Sequence, residues 1–151
     1  MCWICDHPGA TPADYKARIT GLIGQYGWAI QGVERDGPHP PWAYTTGLTG
    51  QGRPELVITG MELGEAAELL NLAAGLPPGT LVPGTYFRLR STSARVIEVT
   101  APWAHLNVAV DVYGEDITAL QLVFADDRGR WPWEPGFTGL AGGQPVLGEH
   151  E

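Results

Sequence analysis

Glycine and proline punctuate this chain heavily, and they set the first limit on its fold. Of 151 residues, 21 are Gly and 13 are Pro, well above a usual combined share of roughly 12 per cent. Proline removes a backbone donor and fixes φ, while glycine weakens helix and strand alike. The chain must therefore fold as short elements joined by tight, stiff turns. Most prolines fall in three places: Pro38, Pro40 and Pro41 before a β-rich run, Pro77 and Pro78 after a helical one, and Pro132 and Pro135 in a Trp-Pro-Trp tail. The apolar share of 44% is enough to build a core, and the length suits one domain. We expect a short arm over residues 1–10 and a single α+β domain over 11–151.

The coarse element order follows from periodicity and punctuation. Thr11-Pro12-Ala13-Asp14 is a helix start, with a hydroxyl cap, Pro at the first helical position and an acid three residues after the cap. Tyr15, Ile19, Leu22, Ile23 and Tyr26 then repeat at helical spacing up to Gly27. Trp28 to Val33, Trp42 to Leu48 and Glu55 to Thr59 read as strands. Glu62 to Ala74 reads as the second helix, with Leu63, Ala66, Ala67, Leu70 and Ala74 as its buried stripe. Thr85 to Leu89 and Arg95 to Thr100 read as a strand pair. Residues 105–113 fit both periods, and Pro102 and Gly114 tilt them to helix. Ala119 to Ala125 is a buried strand, and the chain from Trp131 on reads as an irregular tail wrapped on the body. Runs of strands interleaved with helices in this order predict a mainly antiparallel sheet with two or three packed helices.

Charge excludes some functions. Nine Lys and Arg against 17 Asp and Glu give 9 − 17 = −8, a poor balance for gripping nucleic-acid phosphates. Arg88, Arg90 and Arg95 could form a local basic patch, but on a strand pair they read as a solvated face. No apolar stretch approaches the roughly 18 residues of a membrane span and no basic-then-apolar leader opens the chain, so a cytoplasmic protein without membrane partners is expected.

Both cysteines lie in Met1-Cys2-Trp3-Ile4-Cys5-Asp6-His7. The two-residue gap lets both thiolates reach one zinc ion, with His7 as a third ligand and His39, His105 or water as the fourth. Three other readings stand beside it: a Cys-x-x-Cys redox pair, an N-terminal Cys2 nucleophile, and an arm whose Trp3, Ile4 and Cys5 simply pack. Zinc is the one cofactor the sequence suggests.

Two blocks carry a family likeness. The first is Trp42-Ala43-Tyr44-Thr45-Thr46-Gly47-Leu48 followed by Pro54-Glu55-Leu56. The second is Leu120-Gln121-Leu122-Val123-Phe124-Ala125-Asp126, running into Gly129-Arg130-Trp131-Pro132-Trp133. Together they resemble the bacterial Domain of Unknown Function 4262 family, over roughly Thr11 to Gly136. Many relatives have His before Pro-Glu-Leu where this chain has Arg53, and the Gly-Leu that ends their Pro-Glu-Leu segment is Gly60-Met61 here. The resemblance implies a fold and no reaction.

Those blocks also hold the candidate binding residues. Tyr44 and Thr45 put hydroxyls on both faces of a strand, and Glu55 at a strand entrance could hold a cation or backbone amides. Gln121, Asp126, Arg130, Trp131 and Trp133 could edge a pocket, the tryptophans flanking a groove. The structural alternatives are that the hydroxyls are satisfied locally, Glu55 pairs with Arg53, Asp126 caps its turn with Arg130 across it, and the tryptophans clamp the tail. Signatures of the common hydrolases, kinases and dehydrogenases are absent. The expectation is a domain that binds a small molecule or a partner protein in a groove between the Trp42–Leu48 strand and the Trp-Pro-Trp tail. The alternative is a zinc-binding protein or metal-dependent enzyme using Cys2, Cys5 and His7.

Overall fold

The computed structural model describes residues 8–150. Cys2, Cys5 and His7 lie outside that range, as do all of residues 1–7 of the arm they belong to. Six strands form one sheet: β1 (Ala29–Val33), β2 (Trp42–Thr46), β3 (Glu55–Thr59), β4 (Tyr86–Leu89), β5 (Thr92–Glu98) and β6 (Ala119–Phe124). Their spatial order is β1-β2-β3-β6-β5-β4. Every neighbouring pair is antiparallel except β3 and β6, which run parallel with Glu55 beside Ala119 and Val57 beside Gln121. Helices α1 (Pro12–Tyr26), α2 (Leu63–Ala74) and α3 (Asn107–Tyr113) complete the α+β fold. Among the described residues no helix is long and apolar enough to cross a membrane.

Local sequence explains the helix ends. Thr11 and Asp14 form a reciprocal capping box, and left-handed Gly27 closes α1 by donating its N–H to the Ile23 carbonyl. Glu62 caps α2 by accepting from the Gly64 and Glu65 N–H groups. The first residues of α3 take their cap from the sheet, because the Tyr44 hydroxyl of β2 accepts from the Val108 N–H at 2.9 Å. Residues 105–113, which fit both periods, are thus fixed as helix from Asn107 onward.

Two cores lie on opposite faces. Leu56, Ile58, Val96, Leu122 and Phe124 pack under Ala66, Leu69, Leu70 and Ala73 of α2. The buried stripe of that helix runs through Leu69 and Ala73, where the sequence pattern placed Leu63 and Ala67. Tyr44, Val57, Val99 and Ala119 pack under Leu106 and Ala109, with Leu147 of the tail beside them. Covered on both faces, β3 and β6 are buried along their whole lengths. Helix α1 departs from its expected apolar face: Ile19 is its one buried residue and Tyr26 is 63% exposed. It touches β1 at the sheet edge and α3, so only a narrow part of its surface meets the body.

Strand β2 also stops short of Leu48. Gly47 has φ +134°, and a Cβ there would come within 2.7 Å of the Gly27 carbonyl and the Trp28 Cα. The chain therefore turns at glycine, and Leu48 opens a single 3₁₀ turn, Leu48–Gln51.

Candidate functional site

The tail, irregular as expected, crosses one face of the sheet as a strap held by named side chains. The Gln144 side chain exchanges two hydrogen bonds with the Phe124 backbone, each 2.9 Å, and so lies beside the end of β6 as a paired strand residue would. Gln121, wholly buried, donates to the Pro145 carbonyl at 2.7 Å and to Thr59 Oγ1 at 3.0 Å, and accepts from the Leu147 N–H at 2.7 Å. Thr100 N–H donates to the Leu147 carbonyl at 2.9 Å. Gly148 then lies so close to the Glu98 carbonyl that a Cβ would collide with it.

A hollow lies on each side of this strap. One, of about 220 Å³, is bounded by His39, Trp42, Thr59 and His105 with Pro145 and Leu147 of the strap. Its polar floor is already satisfied, because Thr59 Oγ1 donates to the Pro145 carbonyl while accepting from Gln121. The Trp42 ring stacks on Tyr44 at 5.3 Å between centroids, which fixes one wall. The other hollow, of about 450 Å³, lies along β5 beyond Val96, between Arg95 and Glu149.

The two sequence blocks do not converge on one site. Glu55 sits beside Ala119 at the start of both parallel strands, and Asp126 follows seven residues later, about 20 Å further along at strand rise. Glu55 is wholly buried and accepts five hydrogen bonds. Thr45 Oγ1 (2.7 Å) and Leu48 N–H (3.2 Å) reach Oε1, while Gly47 N–H (3.2 Å), Thr49 N–H (2.8 Å) and Thr49 Oγ1 (2.6 Å) reach Oε2. Backbone amides are thus its partners, as one reading of the strand entrance foresaw. The Arg53 pairing does not occur: that guanidinium donates to Gln51 Oε1 and to the Ala74 and Leu76 carbonyls. Thr45 continues the β2–β3 ladder through its hydroxyl, which accepts from the Leu56 N–H at 2.9 Å. Tyr44 is buried, and that burial pushes its phenol well above the ordinary value against the lowering effect of the Val108 N–H.

At the other end, Asp126 closes its own turn. It accepts from the N–H groups of Arg128, Arg130 and Thr138, from the Thr138 hydroxyl, and from Arg130 Nε at 3.1 Å. Burial alone would raise this carboxyl, but the N–H groups of Arg130, Thr138 and Arg128 outweigh it and hold the group well below the usual carboxylate range. Trp131 and Trp133 do not flank a groove. Their rings stack on each other at 5.7 Å and 5°, Trp133 stacks on His150 at 4.3 Å, and Tyr86 meets Trp131 edge-on.

Of the three arginines read as a solvated face, Arg88 and Arg90 are exposed and Arg95 is buried. Arg95 shares its face of β5 with Ile97 and Val99, a period-2 signal visible in the sequence. Its burial depends on Trp133 arriving from the tail, which no local pattern reveals. The fold sets His39 and His105, the sequence's candidates for a fourth zinc ligand, on one hollow. Among the described residues no group of three His, Cys, Asp or Glu could hold a metal ion.

Comparison with known proteins gives one family. Neither a curated protein nor a solved structure matches the chain. The family model described as Domain of unknown function (DUF4262) matches residues 22–138, which takes in β1 to β6 and both sequence blocks. The chain therefore belongs to the DUF4262 family.

Proposed function

We propose that this domain binds a small, flat organic molecule in the hollow between Trp42 and the strap. The observation that supports this most is the convergence of three flat rings, Trp42, His39 and His105, on one space of about 220 Å³ whose floor polar groups are already paired with one another. That volume lies below the roughly 300–1,000 Å³ of drug-sized sites, so the ligand is a single ring or fused ring pair rather than a peptide. An indole offers a stacking face, and each imidazole both donates and accepts hydrogen bonds. Trp42 opens the Tyr-Thr-x-Gly-Leu block, and Pro145 and Leu147 belong to the tail. The site therefore lies beside the expected strand but against Pro145 and Leu147, not against the Trp-Pro-Trp segment, and Tyr44 supports it by stacking on Trp42.

The test is a ¹H–¹⁵N NMR titration with a set of heteroaromatic fragments, read at the Trp42 indole and the two imidazoles. The expected result is shifts confined to those three rings and lost in Trp42→Ala. Shifts that persist unchanged in Trp42→Ala, or none with any fragment, would refute the proposal.

A second reading keeps the metal expectation, because His39 and His105, the two protein candidates for a fourth ligand, line the same hollow. Cys2, Cys5 and His7 would hold zinc with one of them. Elemental analysis of untagged protein should then give close to one zinc per chain, lost in a Cys2→Ala/Cys5→Ala double mutant. Under about half an equivalent, unchanged by the mutations, removes this reading.

A further inference from the structure

We infer that the larger hollow, on the far side of the strap, is a binding site for a free α-amino acid, with Arg95 taking the carboxylate and Glu149 the ammonium group. Arg95 is only 7% exposed. Its guanidinium makes one hydrogen bond, from Nη1 to the Tyr86 hydroxyl at 3.2 Å, and its buried Nε has no partner. No carboxylate of the described residues lies within ion-pair distance of it. A buried cation normally has an anion or a full set of acceptors. Here the compensation is two aromatic faces, Tyr86 at 5.2 Å and Trp133 at 5.6 Å from the guanidinium carbon.

Those faces also fix its orientation. Trp133 stacks with both Trp131 and His150, and Tyr86 is braced edge-on by Trp131. The result is a guanidinium held in place with donors to spare, the arrangement that binds a planar carboxylate with little ordering cost.

The adjoining space selects the rest of the ligand. Its volume of about 450 Å³ accommodates an amino acid with its side chain, and Glu98 and Glu149 share its lining with Arg95. One cation and two carboxylates disfavour a phosphate or a dicarboxylate, and they suit a molecule carrying one negative and one positive group. The wall between them is the β5 edge. Val96 there is paired, its N–H donating to the Thr85 carbonyl and its carbonyl accepting from Gly84. In the antiparallel alternation the next outward-facing backbone groups belong to Glu98, past the last residue that pairs with β4. The Glu98 carbonyl lies against Gly148 of the strap, and Glu98 is part of the hollow's lining. This site is separate from the one beside Trp42, and its failure would leave that reading intact.

The experiment is an NMR titration of the full chain with each common L-amino acid in turn, up to about 10 mM, read at Arg95 Nε–H and the Trp133 indole. At least one amino acid should shift both signals. Its decarboxylated amine and its deaminated acid should each bind about tenfold or more weaker, as expected for loss of a charged hydrogen bond. Because Arg95 helps hold the tail, the paired variant is Glu149→Gln, at an exposed position. It should weaken the amino acid about tenfold and leave the deaminated acid unchanged. No shift with any amino acid, a deaminated acid that binds as well as its parent, or an unaltered response in Glu149→Gln would each overturn the assignment.

Discussion

Replacing Glu55 with Gln removes one oxygen from the most heavily engaged side chain of the β2–β3 turn. The carboxylate accepts two bonds at Oε1 and three at Oε2, from three backbone N–H groups and two hydroxyls. Glutamine has one carbonyl oxygen and one NH₂ group. With the oxygen in the Oε2 position, its NH₂ faces the Leu48 N–H and the Thr45 hydroxyl. In the flipped orientation it faces the N–H groups of Gly47 and Thr49 instead. Either way, at least one buried N–H loses its acceptor, at about 1–3 kcal/mol, and the remaining bonds lose their charge assistance. The sum is about 3 kcal/mol. For a chain of this size that lowers the melting temperature by about 6–12 °C.

Urea unfolding followed by tryptophan fluorescence and far-ultraviolet circular dichroism measures the loss. The midpoint should fall while the slope stays the same. If Glu55 were instead a ligand-binding group held apart from its neighbours, the Gln variant would keep its stability within about 0.5 kcal/mol. That outcome would refute the structural role assigned to the five bonds.

Two other perturbations test the strap and the buried phenol. Gln121→Ala deletes three bonds to Thr59, Pro145 and Leu147 and should destabilise the protein by about 3 kcal/mol; amide exchange at residue 147 should rise more than in α2, and equal rises would show that the strap is not held there. Tyr44 has its phenol pushed up by burial, so its contribution is intact below the unfolded value near 10 and is lost as pH climbs above that. Unfolding free energy should fall by up to about 1.4 kcal/mol per pH unit from that one group. Tyr44→Phe should make the alkaline slope shallower while costing about 1 kcal/mol at neutral pH for the uncapped Val108 N–H; an unchanged slope in a pH-jump series would contradict the burial argument.

Much of the architecture could be read from local chemistry. Strand β3 has the bounds expected because Pro54 and Gly60 bracket an apolar run, and α1 starts where the Thr11–Asp14 box says it must. The site was far less legible. Glu55 finds its donors on both sides of a turn whose path depends on Gly47, so Arg53, nearer in sequence, was a plausible and wrong partner. Trp131 and Trp133 are recognisable as a pair, but the stacking of Trp133 on His150 and its contact with Arg95 arise only once the tail crosses the sheet. Residues distant in sequence, such as His39 and His105, line one hollow only in the assembled fold.

The place of β6 between β3 and β5 has a consequence for how the chain reaches this state. The β1–β2–β3 meander and the β4–β5 hairpin each form from neighbours in sequence, but no strand pairs with both until residues 119–124 insert. During synthesis two half-sheets must wait, each with an inner edge of unpaired backbone groups open to water, and such edges recruit other strands. Closing the sheet requires a parallel pairing across more than sixty intervening residues, between Glu55 and Ala119, which is slow because loop closure comes before the contacts that reward it. The last strand of the domain is therefore the one that completes its centre, and production in cells depends on how long the two halves stay apart.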